Sequence, residues 1–344
     1  MKYQLVKEER VEGVYVASRL WKEEKEYIAF ASETEHTGKT VSIDTDTLEM
    51  TEVLDGPGGC MGVIPVPETE GDFLAIQKFY PVFQSEDSEI VWYSKKEKGY
   101  LRKVIRILPF THRIDIVKAY ENYYLIACTL CQAKKYTDDW STSGSVYAGK
   151  INFEKKYIED LRPVYDGIFQ NHGFTKIPGK EKDTFLIAGS VGVLEFTPQI
   201  TEQGMKWNYK KILDFPASDV VIADIDGDGE KEYGIIAPFH GENFQIFKKK
   251  KEGMKCIYTL PGAHEFGHAV YGGPLEDKEV FMVGFRAGNR ELFVIRQTDG
   301  QIGEEIVDAG KGPANVTVVK GKQGDYICAA NRQSDLCSVY QITK

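Results

Sequence analysis

Four histidines stand in short polar stretches of an otherwise strand-like chain: His112 in THRID, His172 in QNHGF, His240 in PFHGEN and His268 in FGHAV. Imidazole titrates near neutrality, so it serves as general acid, general base or metal ligand. Three neutral imidazoles meeting at one point suit Zn²⁺ or Mn²⁺, with a coordination position left for substrate. His112, His172 and His268 are the expected ligands, with His240 beside them; which ring is ligand and which is base stays open at this point. Cations and amides fall at similar places, with Lys78 and Tyr80 in QKFYP, Arg286 and Asn289 in GFRAGN, Asn331 and Arg332 in AANRQ, and Asn315 just after Gly312–Pro313. Arg286 and Arg332 join the histidines as candidate catalytic groups that hold developing negative charge. Lys78, Tyr80, Asn289, Asn315 and Asn331 are candidate substrate contacts, and Phe79, Tyr80 and Trp140 offer aromatic faces for a sugar ring.

A second constellation is acidic. Asp224, Asp226, Asp228 and Glu232 follow D-x-D-x-D-G-x-x-E, with Gly229 after the third aspartate. Oxygen ligands at every second residue, a glycine for the sharp turn and a late carboxylate suit Ca²⁺. The expected role of such a calcium ion is structural.

These residues must be positioned by a repeat. A short apolar strand, a second strand and a third strand recur seven times, as in VEGVYVASRL, KEYIAFASETE and TVSIDTD of the first copy. The first strands begin near Val11, Gly59, His112, His172, Val220, Gly267 and Gly312. Such steps approach the length of four-stranded propeller blades, about 40–50 residues. A fourth strand is visible in several copies, for example LRKVIRILPF and NYKKILDFP, but the seventh copy ends without one. The spacing therefore predicts an all-β, seven-bladed β-propeller with four-stranded blades over residues 1–344, one domain. Residues 1–10 complete the last blade and close the ring, which removes its free edges. A pair of β-sandwiches divided near Pro163 accounts for the even spacing less well.

In a propeller the connections into each inner strand share a face with the loops between second and third strands. His112, His172 and His268 are of the first kind and His240 of the second, so all four are expected on one face near the axis. His36 and His264 are less well placed for this mouth, and the acidic loop belongs to the opposite face.

A net charge of −9 with mixed signs argues against nucleic-acid binding. No apolar run reaches about 18 residues, so no membrane span is expected. MKYQLVKEER has no apolar signal core, and six cysteines in 344 residues make no disulfide framework; a cytoplasmic location is expected. Cys128 and Cys131 form a lone CxxC with no matching pair, which argues against a zinc site there.

The stretch IADIDGDGEKEYGII resembles the FG-GAP or VCBS repeat of β-propellers. The longer series THRID, QNHGF, PFHGEN, FGHAVYGG with GFRAGN, and GPANV with AANRQ is similar to the propeller domain of aldos-2-ulose (pyranosone) dehydratases and their bacterial relatives. That resemblance spans about Thr111 to Tyr340. It implies a carbon–oxygen lyase that eliminates water from a keto-sugar such as an aldos-2-ulose or anhydrofructose. It places the active residues at His112, His172, His240, His268, Arg286 and the Asn331–Arg332 pair.

Elimination β to a carbonyl needs a base for the carbon-bound proton, a cation or donor for the enolate oxygen, and an acid for the leaving hydroxyl; the mouth offers all three types. The same cluster suits β-elimination from a uronate, with Arg286 and Arg332 on the carboxylate. The absence of an S-x-D-x-G-x-T-W box argues against a sialidase. The opposing class is a non-catalytic glycan- or protein-binding disc, since fold does not imply function. That class predicts no bound metal and a dry aromatic mouth.

Overall fold

Every repeat carries one run that is apolar on both sides, such as YIAFAS, FLAIQ, TFLIAG and VFMVGF. A strand of that kind needs cover on both faces. In the computed structural model, which describes residues 2–22, 25–35, 38–80 and 85–343, these runs are the second strands of the blades. Phe73–Gln77 is buried throughout, and Thr184–Gly189 and Gly324–Asn331 are buried beyond their first residues. Outer strands such as Tyr100–Ile107 are largely exposed. His36 lies outside the described residues.

The described residues form seven four-stranded antiparallel sheets and no helix, a seven-bladed β-propeller. Among the described residues no helix is thus long and apolar enough to cross a membrane. The inner strands are Val14–Lys22, Gly62–Pro65, Thr111–Ala119, Gly173–Ile177, Asp219–Ala223, Glu265–Leu275 and Asn315–Gly321. Each begins within three residues of the position expected from the repeat, and each touches the inner strands of the blades before and after it. Facing sheets interleave apolar side chains: Phe244 of blade five packs on Phe281 of blade six, and Val117, Ile126 and Val146 of blade three pack with Phe185 and Ile187 of blade four.

The N-terminal strand Lys2–Arg10 pairs antiparallel with Leu336–Thr343 and becomes the outer strand of blade seven, with Leu5 opposite Tyr340. The first and last segments of the chain therefore share a sheet, as the missing fourth strand of the last repeat predicts.

The acidic turn between Asp219–Ala223 and Glu232–Ala237 contains a cation of its own. The Lys248 ammonium sits among the carboxylates, 2.6 Å from Asp226, 2.7 Å from Asp228 and 2.6 Å from Glu232. The Lys248 side chain is 7% exposed and Glu232 is fully buried. Burial pulls the ammonium pKa down, but hydrogen bonds to Asp226, Asp228 and Glu232 outweigh it and the net shift is upward. The fourth carboxylate, Asp224, accepts from the Gly229 amide at 2.9 Å. Asp224, Asp226 and Glu232 still present oxygens within 4.8 Å of one another, but a calcium ion there competes with a built-in cation. The sequence pattern shows the carboxylates and hides the lysine, which arrives from the third strand.

If Lys248 is the cation of this turn, millimolar Ca²⁺ leaves the melting temperature of the wild-type protein unchanged. Lys248→Met loses about 3 kcal/mol, because the buried Glu232 carboxylate is left without its cation, and Ca²⁺ restores part of that loss. Thermal unfolding with and without Ca²⁺ checks both; a calcium-induced rise in the wild type contradicts this assignment.

Candidate metal centre

Ring closure brings together residues far apart in sequence. Tyr15, His112, His172, Asp219 and His268 lie at or beside the beginnings of the inner strands of blades one, three, four, five and six. His240 comes from the loop between Glu232–Ala237 and Asn243–Lys250. Two glycines permit the approach. A Cβ on Gly173 would lie 2.8 Å from the Asp219 Cα, so only glycine lets the neighbouring His172 reach that aspartate. A Cβ on Gly267 would lie 2.9 Å from the Gly241 carbonyl, to which the Gly267 amide donates at 2.8 Å; this bond ties the loop of His240 to the strand of His268. His240 itself has φ 49° and the adjacent Phe266 φ 60°, a left-handed conformation uncommon for such residues and enriched at functional sites.

His112, His172 and His268 are buried and His240 is half-buried. Ring centroids are 4.5 Å apart for His112–His172, 5.0 Å for His172–His240 and His172–His268, and 5.1 Å for His240–His268. The hydrogen bonds assign the tautomers. Nδ1 of His268 faces the Ala314 carbonyl at 2.7 Å and so carries the proton. Its Nε2 then accepts from the Tyr15 hydroxyl at 3.1 Å, and that oxygen accepts from Nε2 of His112 at 3.2 Å. Nδ1 of His172 donates to the Asp219 carboxylate at 2.7 Å. The bare nitrogens left over are Nδ1 of His112 and Nε2 of His172, and Nε2 of His240 is likewise buried; none has a partner among the described residues.

Burial and the neighbouring positive groups lower the pKa of His112 and His268 well below the usual histidine value and that of His240 to about 2. Those three rings are neutral at pH 7, the form that ligates metal. Burial raises the Tyr15 phenol to about 12, so it remains a donor.

Donor atoms of His172, His240 and His268 all lie within 4.8 Å of one another. The sequence reading put His112 in this set and His240 beside it; the geometry groups His240 with His172 and His268 and leaves His112 at the edge, where its Nδ1 stays bare. Tyr15 meets the Nε2 of both His112 and His268, so an ion on His268 takes the place of the Tyr15 proton there. The carboxylate behind His172 and the carbonyl behind His268 are the partners that orient metal-binding histidines. The donor set therefore fits a divalent transition metal. Beneath it runs a central cavity of about 1820 Å³, lined by His268 and Asp219 at this end and by Glu68 and Lys231 at the turns of the opposite face.

Aromatic rings wall the cluster. Phe79 packs on His112 at 5.4 Å, Phe239 on His240 at 3.9 Å, Trp140 on Phe239 at 5.1 Å and Phe266 on His240 at 4.5 Å. Arg286 lies over Phe266, 5.0 Å from the ring centre.

The other expected residues are engaged elsewhere or only border the site. Arg332 pairs with Glu33 and lies 3.7 Å from Asp335. Lys78 pairs with Glu89 at 3.3 Å. Asn331 donates to Ser338 at 2.9 Å inside blade seven. Asn289 is exposed and faces Glu291 of its own loop. Tyr80 is half-buried, with its carbonyl accepting from Ser85. Asn315 lines the central cavity. Cys128 and Cys131 are free and buried, and Cys131 packs with Phe79 and Trp140. Tyr15, Asp219, Phe239 and Phe266 were not expected. The signal for Tyr15 and Asp219 was their place at the beginning of an inner strand, the place that picked out the histidines.

No family model and no curated protein matches the sequence. Among solved structures the fold is similar to a protein of Bacteroides uniformis provisionally named a 6-phosphogluconolactonase, at 11% identity and TM-score 0.60 over 90% of this chain and 89% of that one. It is likewise similar to one of Bacteroides fragilis with the same provisional name, at 11% identity and TM-score 0.61 over 95% of this chain and 91% of that one. At this identity the likeness extends to the seven-bladed fold alone.

Proposed function

We propose that the propeller mouth is the active site of a sugar-processing enzyme, in which His172, His240 and His268 hold a divalent transition metal such as zinc or manganese. The reaction we assign is elimination of water β to the carbonyl of a keto-sugar. The observation that carries this reading is the meeting of nitrogens of His172, His240 and His268 within 4.8 Å of one another, with Nε2 of His172 and of His240 buried and without partners among the described residues. Each such group costs about 1–3 kcal/mol when nothing meets it, so a ligand at this point stabilises the site.

The bound ion would supply Lewis acidity toward the sugar carbonyl. The chain does the rest. Asp219 holds His172 in one tautomer, and the Ala314 carbonyl does the same for His268. Nδ1 of His112 is bare and neutral and takes the carbon-bound proton. Tyr15, shared between His112 and His268, keeps its phenolic proton at pH 7 and gives it to the leaving hydroxyl. Phe79, Trp140, Phe239 and Phe266 exclude water and offer faces to the C–H side of a sugar. The provisional names of the similar structures favour a second reading, lactone hydrolysis, in which the same centre activates water; release of acid rather than an unsaturated product distinguishes it.

Elemental analysis after exposure to Zn²⁺ or Mn²⁺ is expected to find one ion per chain, lost in His172→Ala and His240→Ala and retained in His112→Ala. Asp219→Asn weakens metal binding about 10–100-fold. Loss of metal in His112→Ala instead would restore that residue to the ligand set, and no metal in the wild type would favour a binding disc.

In a screen of keto-sugars read by the ultraviolet absorbance of an unsaturated product, His112→Ala and Tyr15→Phe each lower turnover about 10²-fold or more while keeping their metal. Full activity in either variant removes it from the proton-transfer scheme.

A further inference from the structure

The rim of the mouth carries positive charge that the protein itself does not neutralise. Arg286 donates through Nε at 3.1 Å and Nη2 at 2.9 Å, both to the neutral amide oxygen of Gln333. Among the described residues no carboxylate lies within ion-pair distance of it. Glu33, the acid whose field reaches Arg286, is paired with Arg332. The guanidinium is also partly withdrawn from water: it lies on Phe266, and burial pushes its pKa below the ordinary arginine value. A desolvated cation held by a neutral amide and a ring face is costly unless an anion completes it.

Lys134 repeats the arrangement across His240. Its ammonium stands 3.4 Å from the Trp140 ring centre and donates to the Thr137 carbonyl at 2.7 Å; the fields of Asp138 and Asp139 reach it, but it makes no ion pair among the described residues. Trp140, Phe239, His240 and Phe266 form a continuous row of rings between the two cations. Glu242 and Glu265, on the outer groove beside His240, are exposed and pair with neither cation.

We infer that Arg286 is an anion receptor and that the substrate is an acidic sugar, its carboxylate or phosphate on Arg286 and its ring over the aromatic row beside the histidine cluster. This deepens the proposed function and rests on the same mouth. The guanidinium fork suits either anion, because both offer paired oxygens. Lys134 adds attraction from the other side of His240 without fixing orientation. Neutral sugars lack the group that Arg286 requires.

Calorimetric titration of the full chain with glucuronate, glucose 6-phosphate and glucose tests this, before and after chelation of metal. At least one acid is expected to bind tenfold or more tightly than glucose, and Arg286→Met weakens that acid about 10–100-fold while leaving metal content unchanged. Arg286→Lys, which keeps the charge and loses the fork, falls between. A response to glucuronate alone identifies a carboxylate site, and a response to glucose 6-phosphate alone a phosphate site. Equal binding of glucose, no binding of either acid, or unchanged acid binding in Arg286→Met overturns the inference; if that variant does not fold, the wild-type comparison of acids with glucose decides. Preference for acids in a protein that takes up no metal would contradict the metal centre and leave the anion receptor standing.

Discussion

Each blade has apolar residues on both faces of its second strand, and a sheet of that kind is stable only between two others. Seven such sheets satisfy one another only as a ring, and the ring closes when Lys2–Arg10 becomes the outer strand of blade seven. That closure is the constraint on which the site depends. It directs the beginnings of the inner strands toward one end of the axis, so Tyr15, His112, His172, Asp219 and His268 become neighbours although most of the chain lies between the first and the last. No local element could assemble this set.

Two polar constellations in the molecule differ in what meets their charges. In the acidic turn of blade five, Asp226, Asp228 and Glu232 receive the Lys248 ammonium and Asp224 receives the Gly229 amide through one oxygen, while its Oδ1 has no partner among the described residues. At the mouth, Asp219 and the Ala314 carbonyl satisfy one side of His172 and His268, while Nδ1 of His112 and Nε2 of His172 and His240 are buried without partners among the described residues. Supporting groups fix ring orientation, and burial keeps three of the rings neutral. Rings held from behind, with bare nitrogens left on three of them, are organised for a ligand.

The repeat was legible because strand period and blade length are sequence properties: the seven inner strands and the closing strand stand where their spacing puts them. The convergence of His112, His172, His240 and His268 was legible too, since topology assigns their loops to one face. What could not be read were choices made by orientation. Nothing in THRID or PFHGEN says that His112 turns to Tyr15 while His240 turns inward. Lys248 was hidden because it lies in a strand 16 or more residues from the acids it joins. Asn331 and Arg332 looked available in AANRQ, yet blade seven and Glu33 engage them. Single polar residues at loop ends are ambiguous in this way, whereas equivalent positions across several blades are not.

The central claim is that the ring closure builds a three-imidazole ligand set at the propeller mouth. X-ray absorption spectroscopy of the zinc-loaded full chain tests it most directly. The structure predicts scattering from about three imidazole nitrogens near 2.0–2.1 Å, with the remaining position taken by water or anion. A coordination sphere of carboxylate and water oxygens without imidazole would place the ion in the acidic turn or on the surface and contradict the account.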